Sequence, residues 1–433
     1  MKASTRLGAL AGSLLMAVTA TIVALPATAV DGPVPAGYRV VGREALEPGI
    51  DHLTLRSDQP PQNVHVARLA PGVANRLRPV LSSDVLTGPG AGPETTSSMC
   101  RRTQCTVAVN GDFMGPGGAL VGSMVSRGEI VATPGIPHVQ LSLDASGRGT
   151  IAEGLDWRAQ VSTPGGQAVS VQRVNRPLIG EAINLYSRRF GPSTLTDAAT
   201  VEVVLQLASA EVLPPGVTQV QAVTLRSGGN APIGPGQVVL AGRGAGGQAL
   251  ATFAQVAAQR GASLLVQTAA TSTQSTGASP HLVNRGQPAY PAGATDSFSA
   301  GRHPRTMVGV TPSGETLLVT VDGRQSGSAG LSLAEAANLM AGLGATDAVN
   351  LDGGGSTTFV TGGAVRNRPS YGGERRVVSA LALVPAGQAA PIPAGPPAGP
   401  RIAPTDPASL LPDLVNALLQ PVLNLLAGQP QPR

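Results

Sequence analysis

Three apolar runs in this chain of 433 residues each close on an aspartate beside glycine. TLLVTV (Thr316 to Val321) leads into Asp322-Gly323-Arg324, AVNL (Ala348 to Leu351) into Asp352-Gly353-Gly354-Gly355-Ser356, and TVAV (Thr106 to Val109) into Asn110-Gly111-Asp112. Carboxylates gathered at strand ends can act as general acid, general base or nucleophile, and adjacent glycines let backbone N–H groups approach a bound molecule. Gly353, Gly354, Gly355 and Ser356 could form a nest for an anion or a sugar hydroxyl. A lone Asp-Gly is more simply a tight turn. The triple glycine and Ser356 set Asp352 apart from that reading; Asp112 stays balanced between the two. Upstream, RHPRT places Arg302, His303, Arg305 and Thr306 within five residues. Guanidinium binds phosphate in a bidentate fork, so arginines beside a carboxylate cleft suit a substrate carrying both a phosphate and an acetal carbon. The structural alternative is that Arg305 pairs with Asp322 or Asp352.

These residues need strands and a helix to position them. Ser332 and Glu335 form a capping box for LAEAANLMAGL, and Gly344 is placed to stop that helix as a C′ glycine. Strand, helix and strand over Thr316 to Leu351 predict a βαβ unit, two parallel strands joined by a right-handed crossover. Both Asp322 and Asp352 would then emerge at strand carboxyl ends, where open α/β sheets bind ligands. The expected fold class is α+β, a mixed β-sheet core with this carboxy-terminal βαβ unit and an inserted strand-rich lobe at about 157–247. VHVARLAP (Val64 to Pro71) alternates as a half-buried strand should.

Composition narrows the chemistry. Only 13% of residues are charged, and Gly (56) and Pro (38) exceed one residue in five, which favours turns and short strands over bundles or charged disorder. The single lysine, Lys2, falls in an expected leader, so Schiff-base, P-loop and Ser-Lys chemistry are excluded for the remainder. Aromatics at 2% leave little for base stacking, and no nucleic-acid partner is expected. GRGAGG (Gly242, Gly244, Gly247) outlines a dinucleotide fingerprint, but no acidic residue lies between Glu211 and Asp296 to hold a ribose. A Gly-rich strand-to-helix turn is the plainer reading. No G-x-S-x-G or H-E-x-x-H occurs.

The organisation implies export. Lys2 and Arg6 precede an apolar stretch from Leu7 to Leu25, and Ala27-Thr28-Ala29 offers a cleavage site, so 1–29 reads as a signal peptide cut near Ala29 and the protein as secreted. Removing Lys2 and Arg6 takes the net charge from +5 to +3, too little to argue for DNA or anionic lipid. In an oxidising compartment the only two cysteines, Cys100 and Cys105, are expected to pair. Closing so short a loop contributes about 2 kcal/mol in the chain-entropy model. Residues 30–98 read as an amino-terminal strand and loop part of one catalytic domain that continues over 99–384. A Pro/Ala/Gly linker follows at 385–407. In 408–433, Leu410, Leu414, Leu418, Val422 and Leu425 recur at helical spacing around a bend at Pro421. That helix could dock on a protein or the envelope.

Together the motifs point to a family. NLDGGGSTTFV (Asn350 to Val360), RHPRTMVGVTPSGETLLVTVDGR (Arg302 to Arg324), AVNGDFM (Ala108 to Met114) and NRPSYGGERRVVSALALV (Asn367 to Val384) resemble the phosphodiester glycosidase family, that of the lysosomal uncovering enzyme. The likeness runs from about Glu44 to Val384 and is strongest after His281. NRPLIGEAINLY and FGPSTLT, between Asn175 and Thr196, resemble the longer bacterial members. Met114 departs from the aromatic that many members carry after NGDF, and the tail lies outside the resemblance. The resemblance implies hydrolysis of a sugar-1-phosphodiester, releasing the sugar and leaving a phosphomonoester, with a phosphorylated cell-envelope or exopolysaccharide glycan as substrate. Asp352 would be general base or nucleophile, with Asp322 and Asp112 as candidates for a second carboxylate. Arg305 and Arg324 would bind phosphate, His303 would give a proton or hold phosphate, and Asn350, Asn110, Ser356 and Glu374 would meet sugar hydroxyls. No cofactor is required on this reading, although clustered Asp could hold a divalent cation. Two other classes stay open: a non-catalytic envelope module that binds phosphorylated glycans, and a metal-dependent phosphodiesterase that breaks the P–O bond.

Overall fold

The computed structural model describes residues 32–136, 138–208, 213, 216–268, 273–291 and 293–388. The expected leader, most of the linker and the apolar tail lie outside them. Among the described residues strand far outweighs helix, and the strands form four sheets. The sheet that carries the candidate site has eight strands in the order Arg39–Glu47, Ile50–Asp58, Pro61–Leu69, Thr316–Val321, Arg305–Val310, Asp347–Asn350, His281–Asn284 and Gln287–Pro288. Pro61–Leu69 lies in its interior and is buried along most of its length rather than on one face.

The expected βαβ unit needs a correction. Thr316–Val321 and Asp347–Asn350 are not neighbours, because Arg305–Val310 runs between them and pairs antiparallel with both. The two outer strands therefore share a direction without sharing hydrogen bonds. Arg305–Val310 and Thr316–Val321 form a hairpin across Thr311 to Glu315, whereas Asp347–Asn350 joins Arg305–Val310 at longer range, which the local pattern does not encode. The consequence for the site is favourable. Thr316–Val321 and Asp347–Asn350 end at one edge of the sheet, and Arg305–Val310 begins there.

The linking helix, Leu333–Gly342, forms as its ends dictate. Ser332 and Glu335 make the reciprocal capping box, and Gly344 takes φ +91°. The Gly344 and Ala345 N–H groups donate to the Ala341 and Met340 carbonyls, closing a Schellman motif. Leu333, Ala336, Ala337 and Met340 pack on Met307, Val319 and Ala348 of the sheet. The opposite sheet face meets a five-stranded sheet, ordered Ala364–Val365, Phe359–Thr361, Val107–Asn110, Ser379–Leu383 and Leu77–Leu81. Val308, Leu318 and Val349 interdigitate there with Val107, Val109, Phe359 and Leu381. A helix and a second sheet thus clamp the site-bearing sheet from both sides. A further five-stranded sheet adds Leu141 and Leu143 to that core.

The inserted lobe is larger than the composition suggested. Its eight-stranded sheet starts at Trp157–Ser162 and includes Ala262–Thr268, which pairs with that first strand across about a hundred residues of chain. The boundary moves from about 247 to 268 because the helix Gly244–Arg260 packs on this sheet through Leu250, Phe253, Ala254 and Ala257. Burying Leu and Phe contributes roughly 1.5–3 kcal/mol each, more than the roughly 1 kcal/mol that each glycine costs in a helix. At that helix's amino end a Cβ on Gly244 would run into the Glu181 carboxyl. The place a dinucleotide phosphate would take is filled by the chain's own carboxylate. Cys100 and Cys105 form a disulfide, Cα–Cα 4.8 Å, across the end of the helix Thr96–Thr103.

Candidate active site

The edge where the strands meet is stitched by one buried amide. Asn110 ends its strand in the facing sheet, and its Nδ2 donates to the Asp352 carbonyl at 2.6 Å. Its Oδ1 accepts from Thr306 Oγ1 at 2.7 Å and from the Thr358 N–H at 3.1 Å. The Asp352 N–H donates to the Gly111 carbonyl at 3.1 Å. The turns holding Asp112 and Asp352 are thereby joined backbone to backbone. Asn110 is fully buried, so it positions Asp352 instead of facing a ligand.

Asp352 leads the 3-10 turn Gly354–Ser356 and keeps some solvent access. Its carboxyl is nevertheless set deep enough that burial pushes its pKa above the usual range, opposed by the Ser356 hydroxyl, the charge of Arg375 and the Gly353 N–H. The expected anion nest is mostly occupied. Gly353 N–H donates to Asp352 Oδ1 at 2.9 Å, Gly354 N–H to the Pro304 carbonyl at 2.8 Å, and Ser356 N–H to the Gly353 carbonyl at 3.1 Å. A side chain takes over the cationic role: Arg324, exposed and with φ +59°, lays its guanidinium against Gly354, where an added Cβ would sit 3.2 Å from Nη2. His303 orients it. Arg324 Nη2 donates to His303 Nδ1 at 3.1 Å, which puts the imidazole proton on Nε2, 2.9 Å from the Ser297 carbonyl. Burial, Arg305 and Arg324 lower the His303 pKa despite that carbonyl. Both ring nitrogens are thus engaged.

The other charged residues of the motifs are sealed. Asp322 is 2% exposed; Oδ2 accepts from Asn63 Nδ2 at 2.7 Å, and Oδ1 from Asn367 Nδ2 at 3.1 Å and the Arg368 N–H at 3.0 Å. Burial raises its pKa against those donors. Asp112 is 1% exposed, and its oxygens accept from the Phe113 N–H at 2.7 Å and the Gly122 N–H at 2.8 Å. Burial carries its pKa up to about 6, restrained by His138 and Arg176. The picture of three carboxylates open to one cleft reduces to one partly exposed aspartate with two buried beside it. Arg305 is equally enclosed: Nε donates to the Leu331 carbonyl at 2.9 Å, and Nη2 to those of Phe298 at 2.6 Å and Gly301 at 3.2 Å, with the guanidinium 4.9 Å from the Phe298 ring centroid. Among its described partners neither Asp322 nor Asp352 appears, so the ion pair weighed as the structural alternative gives way to carbonyl contacts. Asn350 Nδ2 donates to the Ser279 and Leu351 carbonyls at 2.8 and 2.7 Å, within the core. Glu374 accepts from the Ser97 N–H at 3.1 Å and so caps the helix Thr96–Thr103. These contacts place Asn350 and Glu374 among scaffold groups rather than ligand-facing ones.

Residues that the motif reading passed over complete the rim. Asn367 and Arg368 fasten one end of a segment to Asp322, and Gln325 Nε2 donates to the Arg368 carbonyl at 2.7 Å. Glu374 and Arg376 fasten the other, Arg376 donating to the Pro93 carbonyl at 3.1 Å. Between them stand Tyr371 and Arg375. Their signal was present in NRPSYGGERR, a glycine-interrupted run holding one of only four tyrosines and three arginines. Among the described residues no group of three or more His, Cys, Asp or Glu gathers where it could hold a metal ion.

Comparison with known proteins follows this geometry. Residues 217–384 match the phosphodiester glycosidase family model, so the resemblance carried by the motifs holds over the stretch containing Arg305, Asp322, Arg324, Asp352 and Tyr371. A hypothetical protein from Synechocystis shares the fold at TM-score 0.58 and 22% identity, over 80% of this chain and 68% of that one. A protein from Burkholderia pseudomallei K96243 aligns at TM-score 0.56 and 28% identity, over 75% of this chain and 74% of that one. The catalytic domain of zebrafish N-acetylglucosamine-1-phosphodiester alpha-N-acetylglucosaminidase aligns at TM-score 0.41 and 14% identity, over 83% and 96% of the two chains, a likeness on which no role rests. An 82-residue segment is 37% identical to the SPbeta prophage-derived uncharacterized protein YomE of Bacillus subtilis. It spans 19% of this chain and 13% of that protein, so the chain covers about an eighth of its curated relative.

Proposed function

We propose that this protein is a secreted hydrolase that cleaves the glycosidic bond of sugar-1-phosphodiesters in phosphorylated envelope or exopolysaccharide glycans. The observation that carries the proposal is the Asp352 turn: a partly exposed aspartate with an exposed arginine against the neighbouring Gly354, inside the stretch matched by the family model. In such a substrate the group expelled from the anomeric carbon is a phosphomonoester, whose second pKa is about 6. It departs at neutral pH with little protonation. A strong general acid becomes dispensable, while a cation on the departing phosphate becomes valuable. One partly exposed aspartate and one exposed arginine meet those needs. Asp352 acts at the anomeric centre as base or nucleophile; Arg324, held by His303, takes the phosphate. Of the two arginines first assigned to phosphate, Arg324 keeps the role, because Arg305 is buried and its Nε and Nη2 donate to carbonyls. Asp322 and Asn110 position the turn and its rim, and Asp112 remains the candidate for a second carboxylate through its raised pKa. No step is routed through a metal.

Incubation with a glycosyl-1-phosphodiester, with and without chelator, tests the reading. Free sugar plus phosphomonoester in both arms supports it. Sugar-1-phosphate lost on chelation means metal-dependent P–O cleavage, and no product with retained binding means a glycan-binding module.

A further inference from the structure

Tyr371 is 71% exposed, more than any other large apolar side chain among the described residues. The edge of its ring nonetheless lies against the chain: a Cβ on Gly355 would run into Cε2 and Cδ2 of Tyr371. Gly355 itself is buried beneath it. Only a residue without a side chain lets the ring edge settle three residues from Asp352, with most of the ring left in solvent. The backbone on either side of the ring is fixed, through Asn367 and Arg368 on Asp322 and through Glu374 on the Ser97 N–H. Such a side chain is held in place without being buried, so little freedom remains to be lost when something covers it.

The Asp352 turn therefore has two different flanks. Arg324 lies against Gly354 and Tyr371 against Gly355. A cation on one side and an aromatic ring on the other give the turn a direction. We propose that the Tyr371 ring is the platform for the sugar of the substrate, a pyranose whose apolar C–H face stacks on it while the phosphate lies toward Arg324. A pyranose suits the ring because its axial C–H groups form an apolar face, which the negative face of an aromatic attracts and shields from water. Its hydroxyls stay at the edge, in reach of solvent and polar groups. The anomeric carbon, which joins the two halves of the substrate, is then brought over Asp352. Tyr371 is a specificity-determining residue on this reading, which rests on the phosphodiester assignment for its orientation but not for its affinity for sugar.

The test compares wild type, Tyr371→Phe and Tyr371→Ala in the full chain. Kinetics use the methyl and benzyl phosphodiesters of α-glucose and α-N-acetylglucosamine; titration calorimetry with free glucose and N-acetylglucosamine reads binding without turnover. The expected result is a rise in KM of about ten-fold or more for Tyr371→Ala with kcat within about three-fold, the same for methyl and benzyl substrates, and near-wild-type values for Tyr371→Phe. Calorimetry should show weaker free-sugar binding in the Ala variant alone. An Ala variant that unfolds at lower temperature yet keeps its KM would make the ring a mere cover for Gly355 and overturn the proposal. A loss confined to benzyl substrates would put the leaving group on the ring and overturn it too. If wild type releases no sugar yet binds it through Tyr371, the phosphodiester reading fails and the platform stands.

Discussion

Asp352 and Asp322 sit at the same sheet edge, one strand apart, and both follow the same kind of apolar run into Asp-Gly. Their surroundings differ in donors. Asp322 accepts from three N–H groups, all supplied by residues far away in sequence, and is sealed. Asp352 accepts a main-chain hydrogen bond from its neighbour Gly353 and is partly exposed. The arginines divide in the same way, Arg305 enclosed by carbonyls and Arg324 exposed against glycine. A buried polar group satisfied by the protein contributes to holding the structure; one left partly unsatisfied at a cleft is what a substrate can engage. Residue type alone does not separate the two.

Substitutions can break that contrast. The largest effect is expected for Asp352→Asn, which should lower kcat on a glycosyl phosphodiester by about 10³ or more while the thermal unfolding midpoint stays near wild type. Arg324→Ala should cost about 10²-fold in kcat/KM on a phosphodiester and under about three-fold on an uncharged aryl glycoside; equal losses on both would remove the phosphate role. Arg305→Ala should act on stability first. It strips donors from the Leu331, Phe298 and Gly301 carbonyls, and an unsatisfied buried group costs about 1–3 kcal/mol, so denaturant unfolding should shift by about 3 kcal/mol or more. Full stability with lost phosphodiester turnover would reverse the assignment of the two arginines. The smallest effect is expected at Arg375, whose positive charge lowers an Asp352 pKa that burial has raised. Activity that needs the ionised carboxylate rises through that pKa. Arg375→Ala should therefore raise the Asp352 pKa further and move the acid limb of kcat/KM to higher pH by some tenths of a unit, and an unmoved limb would detach that limb from Asp352.

What the sequence disclosed follows the range of the interactions concerned. The helix Leu333–Gly342 was legible from Ser332, Glu335 and Gly344 because caps act within a few residues. The strand ends that deliver Asp322 and Asp352 were legible from apolar runs closed by glycine. The place of Arg305–Val310 between them was not, because its hairpin with Thr316–Val321 is local but its pairing with Asp347–Asn350 is set at longer range. Nor was the fate of Asp322, whose donors Asn63 and Asn367 stand 259 and 45 residues away. Glu374 looked like a sugar ligand and proved to be a helix cap for a segment 277 residues distant. Tyr371 drew no notice because its role depends on what Gly355 lacks.

Hydrolysis of a glycosyl-1-phosphodiester in ¹⁸O-labelled water decides which bond the Asp352 and Arg324 pair is built to break. The account predicts label on the released sugar at its anomeric carbon and none in the phosphomonoester. Label in a phosphate group, with sugar-1-phosphate as the product, would contradict it.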